Sequence, residues 1–307
     1  MRRLATSALV AAPALLALPL AATAGAGRPR QACVASPSVE TKTVDFGGTP
    51  REYRIATPTA EPRRGRGLPL ILNFHGYTSS AGQQAVYSQL EQKGPAAGFV
   101  VATPQGTGPS AFWNILPNLP APDDVAYTEA LIDAASAQTC IDPTRVYATG
   151  MSNGGGMSTL LACELPNRIA AVAPVAGVNL VQPCPHGRPI SVLAFHGEAD
   201  AIVPFDGGKP AVGTSIDTPP VEDAVAAFAE RDGCRARPAE RTLGTEVTRF
   251  RYRGCDPGTD VELYAVANGG HTWPGSLDVA RLGHNTQDVN AADLILEFFD
   301  THRLRRT

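Results

Sequence analysis

The sequence predicts an α/β fold, with a mostly parallel central sheet and helices on both faces. Short apolar runs bounded by turn residues are typical of strands buried on both faces, and Leu68–Phe74 and residues 99–103 are the first two. Such runs alternate with segments of helical periodicity, as in parallel sheets with helical crossovers. The later predicted strands are 145–149, 169–175, 190–195 and Val261–Val266. One predicted helix begins at Asp123 and Asp124, a second directly follows residue 152, and two more cover Val221–Arg231 and 289–303.

The first 24 residues have the features of a secretory signal peptide. Arg2 and Arg3 give a charged start, residues 4–20 form an apolar run, and residues 22–24 read Ala-Thr-Ala, a cleavage site. Pro13 and Pro19 interrupt the short run, which disfavours a membrane anchor. We therefore expect secretion of the mature chain, with a loop segment at 25–40 and a single domain over 41–307.

Charge and cysteine content narrow the function classes. A net charge of −3 without long basic runs argues against a nucleic-acid partner. Six cysteines in an exported chain predict three disulfides, and the absence of a Cys-x-x-Cys pair disfavours zinc. Residues 242–252 are predicted to form a strand pair turning near Gly244, which would bring Cys234 to Cys255. By elimination, the other expected pairs are Cys163 with Cys184 and Cys33 with Cys140.

A strand, a sharp turn and a helix meet at residue 152. The turn reads Gly150-Met151-Ser152-Asn153-Gly154, which matches the G-x-S-x-G nucleophile elbow, where a strained turn exposes a serine hydroxyl at the sheet edge. The glycines suit positions too crowded for a Cβ. The bare pattern also fits a plain turn, so the interpretation depends on partners for Ser152 elsewhere in the chain.

Those partners are expected at the carboxyl ends of other strands, where active sites of such sheets lie. A serine nucleophile needs a histidine base oriented by a carboxylate. Asp200 follows strand 190–195, and His271 follows Val261–Val266. The order Ser, acid, His along the chain is that of the α/β-hydrolase fold. The sequence therefore predicts Ser152 as nucleophile, Asp200 as acid and His271 as base.

Each partner has rivals in the sequence. His284 competes with His271, which is preferred because it lies in a Gly-rich loop between the final strand and the final helix. Glu198 and Asp206 compete with Asp200, which is preferred because it sits a short turn past its strand. His75 and His196 lie beside glycines at strand ends, where a structural turn role is the simpler interpretation.

Two backbone N–H groups are expected to form the oxyanion hole. One belongs to Asn153, directly after the nucleophile, and the other to the loop after the first buried strand. Tyr77 is the expected donor in that loop, on position alone.

Several of these stretches together resemble the secreted esterases of the polyhydroxybutyrate depolymerase and feruloyl esterase group, of the α/β-hydrolase superfamily. The likeness runs from about residue 44 to the last helix. It implies the same triad, with the loop at His75, Gly76 and Tyr77 as oxyanion support. The stretches are Gly150-Met151-Ser152-Asn153-Gly154-Gly155, Cys140-Ile141-Asp142-Pro143, His196-Gly197 with Asp200, Val203 and Pro204, Gly270-His271-Thr272-Trp273-Pro274, Trp113-Asn114, and Asp123-Asp124-Val125.

The resemblance leaves the ester open between two substrates. Depolymerases that act on solid polyester usually carry an added surface-binding domain, and this sequence ends after the last helix, so we expect feruloyl-type esterase activity on plant cell-wall esters, with polyhydroxyalkanoate depolymerase as the alternative. Trp113 and Trp273 would suit an aromatic acyl group if they line the cleft; otherwise they pack the core. The Pro- and Gly-rich loop 106–122 is expected to shape the acyl pocket.

Other function classes fit less well. A secreted acyltransferase would use the same triad, a non-enzymatic binding protein would normally lack one of its members, and a peptidase would usually carry a further domain. We expect no cofactor and no metal, because no motif for either is present. The expected partner is the ester substrate, with no nucleic acid and no membrane after signal cleavage, and the expected state is a monomer.

Overall fold

The structure is a computed structural model that describes residues 38–58, 67–116, 121–182, 184, 187–212 and 216–304. The expected signal peptide, Cys33 and most of the expected N-terminal loop lie outside these residues. Strand β1 begins at Ser38, so the last residues of the expected loop segment are extended and paired.

Ten strands form one sheet in the order β1-β2-β4-β3-β5-β6-β7-β10-β9-β8. The six central strands, β4 to β10 in that order, pair in parallel, and an antiparallel hairpin extends each edge. This confirms the predicted mostly parallel sheet. The strands are β1 Ser38–Phe46, β2 Thr49–Thr57, β3 Leu68–Phe74, β4 Val100–Pro104, β5 Ile141–Met151, β6 Ala171–Val175, β7 Ser191–Gly197, β8 Ala239–Leu243, β9 Val247–Tyr252 and β10 Val261–Val266.

Helices cover both faces of the sheet. Successive side chains of the central strands are therefore buried alternately in the core on one face and in the core on the other. In β3, Leu70 and Leu72 pack in one core cluster with Leu131, while Ile71 packs in a second cluster with Ile295. Each fully buried aliphatic side chain contributes about 1.5–3 kcal/mol. The helices are α1 Ala81–Tyr87, α2 Leu90–Ala96, α3 Asp124–Gln138, α4 Asn153–Glu164, α5 Val221–Arg231 and α6 Ala291–Thr301.

Two helices of the structure were not predicted from the sequence. Helices α1 and α2 are short, and Gly82, Gly94 and Pro95 are poor helix formers. Their stabilisation is tertiary and local: Ser80 caps α1 by accepting a hydrogen bond from the Gln83 N–H, and Leu90 of α2 is fully buried. Strand β5 also begins four residues earlier than predicted, at Ile141.

Two of the three expected disulfides are present. Cys163 is bonded to Cys184, and Cys234 to Cys255. The second bond closes the β8–β9 hairpin, which turns through Gly244 at a positive φ of 62°. The pairing of Cys33 with Cys140 stays a prediction, because Cys33 lies outside the described residues.

Candidate active site

Ser152 occupies a strained turn between β5 and α4. Its φ of 58° and ψ of −122° lie in a region that non-glycine residues rarely adopt. The turn is held by hydrogen bonds from the Ser152 N–H to the Val175 carbonyl oxygen (2.8 Å) and from the Gly156 N–H to the Ser152 carbonyl oxygen (2.8 Å). A Cβ at Gly154 would collide with the carbonyl oxygen of Phe74, so this position requires glycine. The local structure has the strand, turn and helix expected of a nucleophile elbow.

The strand register brings the ends of β5, β6, β7 and β10 to one edge of the sheet. Met151 pairs with Val175, Val175 with Phe195, and Phe195 with Tyr264. The segments that carry Ser152, Asp200 and His271 therefore all leave the sheet at the same edge.

Asp200 and His271 form a buried hydrogen-bonded pair. Asp200 Oδ2 lies 2.7 Å from His271 Nδ1, and the two residues are 4% exposed each. The other carboxylate oxygen, Oδ1, accepts hydrogen bonds from the N–H groups of Ile202 (2.8 Å) and Val203 (2.9 Å). Because Nδ1 donates to the carboxylate, Nε2 of His271 is left as the proton acceptor.

His196 holds the same carboxylate from another side. Its Nε2 lies 2.9 Å from the Val203 carbonyl oxygen and 3.3 Å from Asp200 Oδ2. Both neighbours are acceptors, so Nε2 carries the proton. Burial by itself would raise the pKa of Asp200, but hydrogen bonds from His196 and His271 outweigh it and hold that pKa well below its usual range. Sequence reasoning missed this contact, although the spacing of His196 and Asp200 past one strand end was visible.

The rival residues lie elsewhere. The His284 side chain is half exposed, and its Nε2 lies 2.8 Å from Glu246 Oε2. Glu198 and Asp206 are exposed, and neither bonds to His271 within the described ranges. Ser152 is 9% exposed and its hydroxyl has no hydrogen bond to a described residue. The structure therefore joins Asp200 to His271 directly and places Ser152 at the same edge, without a bond to either.

The backbone N–H groups of Tyr77 and Asn153, beside Ser152, have no acceptor among the residues that the structure describes. Asn153 is the first residue of α4, where N–H groups have no intrahelical partner. The loop that carries Tyr77 lies against the serine, since a Cβ at Gly76 would be 3.4 Å from Ser152 Cβ.

The loop after β3 is fixed by His75. The His75 ring is buried; its Nδ1–H donates to the Gly76 carbonyl oxygen (2.8 Å), and its Nε2 accepts from the Gly106 N–H (2.8 Å). Burial lowers the pKa of His75, and this effect outweighs the hydrogen bond to Gly76, which by itself would raise the pKa. The lowered pKa favours the neutral ring, which is the form that can donate from Nδ1 and accept at Nε2. His75 thus ties the β3 loop to the β4 loop.

Trp113 is pinned between the elbow and the β3 loop. Its indole Nε1–H donates to the His75 carbonyl oxygen (2.8 Å), and its backbone N–H donates to Asn153 Oδ1 (2.7 Å). The Asn153 Nδ2 returns a hydrogen bond to the Trp113 carbonyl oxygen (3.0 Å). Sequence reasoning gave Asn153 only a backbone role and missed this side-chain clamp.

A cavity of about 200 Å³ opens over Ser152. Most of its lining residues are aromatic or aliphatic, and four of them belong to loop 106–122, which is expected to shape the acyl pocket. The lining residues are Tyr77, Phe112, Trp113, Ile115, Leu116, Ser152, Asn153, Leu180, Val203 and Val212. A larger cavity, of about 670 Å³, does not include Ser152 but shares Ile115, Leu116 and Leu180 with the first.

The two tryptophans differ in position. Trp113 lines the Ser152 cavity although only 1% of it is exposed. Trp273 is fully buried in the core cluster that contains Ile295 and Phe299, and it does not line that cavity. This burial favours the alternative that Trp273 packs the core, and the expected contact of Trp273 with substrate stays a prediction.

Within the part of the chain that the structure describes, no group of three or more His, Cys, Asp or Glu side chains could hold a metal ion. In the same ranges, no helix has the length and apolar character needed to cross a membrane.

Known proteins match this chain over most of its length. A family model described as Esterase PHB depolymerase matches residues 57–193. NocK of Nocardia uniformis subsp. tsuyamanensis is 34% identical over 290 residues, or 86% of this chain and 83% of NocK. The chain belongs to the PHB depolymerase esterase family. It is a carboxylic ester hydrolase.

Two further proteins, one similar in sequence and one in structure, are named as a feruloyl esterase and an acetyl xylan esterase. Feruloyl esterase B of Piromyces equi is 34% identical over 215 residues, which cover 67% of this chain but only 40% of that protein. The structure of an acetyl xylan esterase from Aspergillus awamori superposes with a TM-score of 0.60 at 14% identity, covering 86% of this chain and 99% of that one. At that identity the likeness shows the fold alone, which is the α/β-hydrolase fold.

Proposed function

We propose that this esterase is a secreted serine hydrolase that works through Ser152, His271 and Asp200 and an acyl-enzyme. The observation that carries the proposal is the 2.7 Å hydrogen bond between Asp200 and His271 at the sheet edge where Ser152 sits in a strained turn. In the reaction, His271 Nε2 takes the hydroxyl proton as Ser152 Oγ attacks the ester carbon, and then gives it to the leaving alcohol. Water, activated by the same nitrogen, releases the acid and restores the serine.

Asp200 remains ionised through this cycle. Its negative charge keeps the proton on His271 Nδ1 and stabilises the imidazolium that forms in each half-reaction. The hydrogen bonds from His196, Ile202 and Val203 support that role, because they stabilise the charged carboxylate in a buried place.

The N–H groups of Tyr77 and Asn153 would stabilise the tetrahedral intermediate. Both are without an acceptor among the described residues and flank Ser152 in the same cavity. Donors held in place before the reaction stabilise the developing oxyanion without reorganisation. The fixation of the Tyr77 loop by His75, and of Asn153 by Trp113, supports this assignment.

For the substrate, we favour a feruloyl-type ester of the plant cell wall. Tyr77, Phe112 and Trp113 are among the residues that line the cavity over Ser152, and aromatic side chains suit a planar aromatic acyl group. The likeness to a feruloyl esterase supports the same choice. Depolymerisation of polyhydroxyalkanoate is the alternative, since the family model is named for it. Secretion fits the two described disulfides, because such bonds form and persist in oxidising compartments.

Product release tests the proposal. Purified protein is assayed with methyl ferulate, ferulated arabinoxylan and a polyhydroxybutyrate suspension, beside Ser152→Ala. Ferulate release that disappears in the variant is the expected result. Release of hydroxybutyrate instead of ferulate would support the depolymerase alternative. Activity that survives in Ser152→Ala would exclude Ser152 as the nucleophile.

A further inference from the structure

The cavity of about 670 Å³ beside the Ser152 cavity is large enough for a substantial part of a substrate. The two cavities adjoin at Ile115, Leu116 and Leu180, which line both. A ligand whose ester lies at Ser152 would extend past these three side chains. We call this larger space the second chamber.

Two amide oxygens of the second chamber lack a donor. Asn179 is 1% exposed, and its Nδ2 donates to the carbonyl oxygens of Pro219 (3.0 Å) and Pro204 (3.3 Å), while its buried Oδ1 has no partner among the described residues. Asn114 repeats the pattern: its Nδ2 donates to the Pro122 carbonyl oxygen (3.2 Å), and its buried Oδ1 is likewise unpaired within those residues. Both side chains line the chamber. Buried acceptors without a donor are costly and rare in native proteins.

The charged residues of the chamber are acidic. The exposed carboxylates of Asp123, Glu164 and Asp217 line it and form no ion pair within the described ranges. The fourth carboxylate, Asp124, is buried against Arg51, with Oδ1 2.6 Å from the guanidinium Nη1. No lysine, arginine or histidine is among the described residues that line the chamber. The chamber thus offers hydrogen-bond acceptors and negative charge on partly apolar walls.

We propose that the second chamber binds the part of the substrate remote from the scissile ester, and that it selects a neutral group rich in hydroxyl donors. Hydroxyl groups would satisfy the oxygens of Asn114 and Asn179, and a neutral group avoids repulsion by Asp123, Glu164 and Asp217. The inference deepens the proposed function and rests on it. It disfavours the depolymerase alternative, because the interior of a polyhydroxyalkanoate chain has ester oxygens but no donors to give.

Chamber-filling and charge variants test the proposal. Leu160 lines the second chamber and not the Ser152 cavity, so Leu160→Trp fills the chamber and leaves the triad untouched. Val86→Trp, at an exposed position that lines neither cavity, is the matched control. Glu164→Gln with Asp217→Asn removes charge, and Glu297→Gln, an exposed position on α6, is its control.

The substrates are methyl ferulate, a feruloyl ester of a neutral pentose disaccharide, and the corresponding ester of a uronic acid. The neutral sugar ester should exceed methyl ferulate in kcat/KM by about tenfold, since one or two new hydrogen bonds give that factor. Leu160→Trp should remove this gain without changing methyl ferulate turnover. The double charge variant should raise kcat/KM for the uronate ester alone. Equal ratios in wild type and Leu160→Trp would overturn the proposal.

A binding measurement separates this proposal from the proposed function. Titration calorimetry of Ser152→Ala with a neutral pentose oligosaccharide needs no turnover. Adding Leu160→Trp should raise Kd about tenfold, and adding Val86→Trp should leave it unchanged. Absence of binding, or equal Kd values, would contradict the proposed binding role of the second chamber, even if ferulate release depends on Ser152. Loss of Ser152-dependent hydrolysis with binding intact would sink only the catalytic assignment.

Discussion

Oδ2 of Asp200 lies 2.7 Å from Nδ1 of His271, although the two residues are 71 positions apart in the chain. Strands β7 and β10 are parallel neighbours, and each residue follows the end of its strand by a few positions. The hydrogen bond therefore follows from the sheet topology. Its chemical consequence is a fixed imidazole tautomer with Nε2 free to accept a proton.

Asp200→Asn should lose most activity, by about 10³–10⁴-fold in kcat, because an amide at this position favours the wrong tautomer of His271. The measurement is steady-state hydrolysis of a short p-nitrophenyl ester. Glu198→Gln is the matched control, since Glu198 is an exposed carboxylate on the same loop. If Glu198→Gln proved inactive and Asp200→Asn active, the acid would be reassigned.

The unfolding free energy should depend on the charge of Asp200 at low pH. Its folded-state pKa is lowered, so its ionised form stabilises the fold above the unfolded pKa of about 3.9, and this contribution is lost as pH falls through the lower folded-state value. Urea denaturation of wild type and Asp200→Asn from pH 2 to pH 6 should show a difference that shrinks below about pH 4. Parallel curves over that range would contradict the assignment.

His196 is expected to act through Asp200 as a positioning residue. His196→Leu removes the Nε2–H donor from a buried carboxylate, and kcat should fall about tenfold, the effect of one such hydrogen bond, with KM unchanged. His196→Gln, which restores a donor at similar reach, should recover part of the rate. A purely structural histidine would instead lower stability in both variants and leave the kcat of the folded fraction intact.

Arg51 and Asp124 form a buried ion pair beneath the second chamber. Their side chains are 3% and 1% exposed, Arg51 lies over the Tyr127 ring at 3.5 Å, and Asp124 Oδ2 accepts the Asn114 N–H (2.7 Å). Arg51→Met leaves a buried carboxylate without its cation, and the unfolding free energy should fall by about 3–5 kcal/mol. Chemical denaturation measures it; Arg54→Met, at a part-exposed pair with Glu91, should cost under about 1 kcal/mol. Equal losses would contradict the pair's burial.

Strand positions were predictable because both faces of the central sheet are buried. Strands Leu68–Phe74 and Val261–Val266 were predicted with the bounds that the structure has, and so was helix Val221–Arg231, whose apolar side chains recur at helical spacing. The elbow glycines marked a turn that only they permit. The Asp200–His271 pair was predictable because parallel strands end at a common edge. These inferences need only local patterns and one topological rule.

Side-chain partners across the fold were not predictable in this way. The contact of His196 with Asp200 depends on how the loop after β7 turns back, and glycine neighbours suggested only a turn. Trp273 lies only two residues after His271 along the chain, yet its ring is buried in the core, because nearby residues of a loop can face opposite ways. The second chamber is formed by residues from at least four separate segments, and no sequence motif records their meeting.

The identity of the nucleophile is the central claim, and covalent labelling tests it most directly. The purified protein is treated with a fluorophosphonate, which traps activated serines, and the modified peptide is located by mass spectrometry. The account predicts a single adduct at Ser152 that His271→Ala strongly reduces. An adduct on another serine, or labelling of Ser152 at the wild-type rate in His271→Ala, would contradict it.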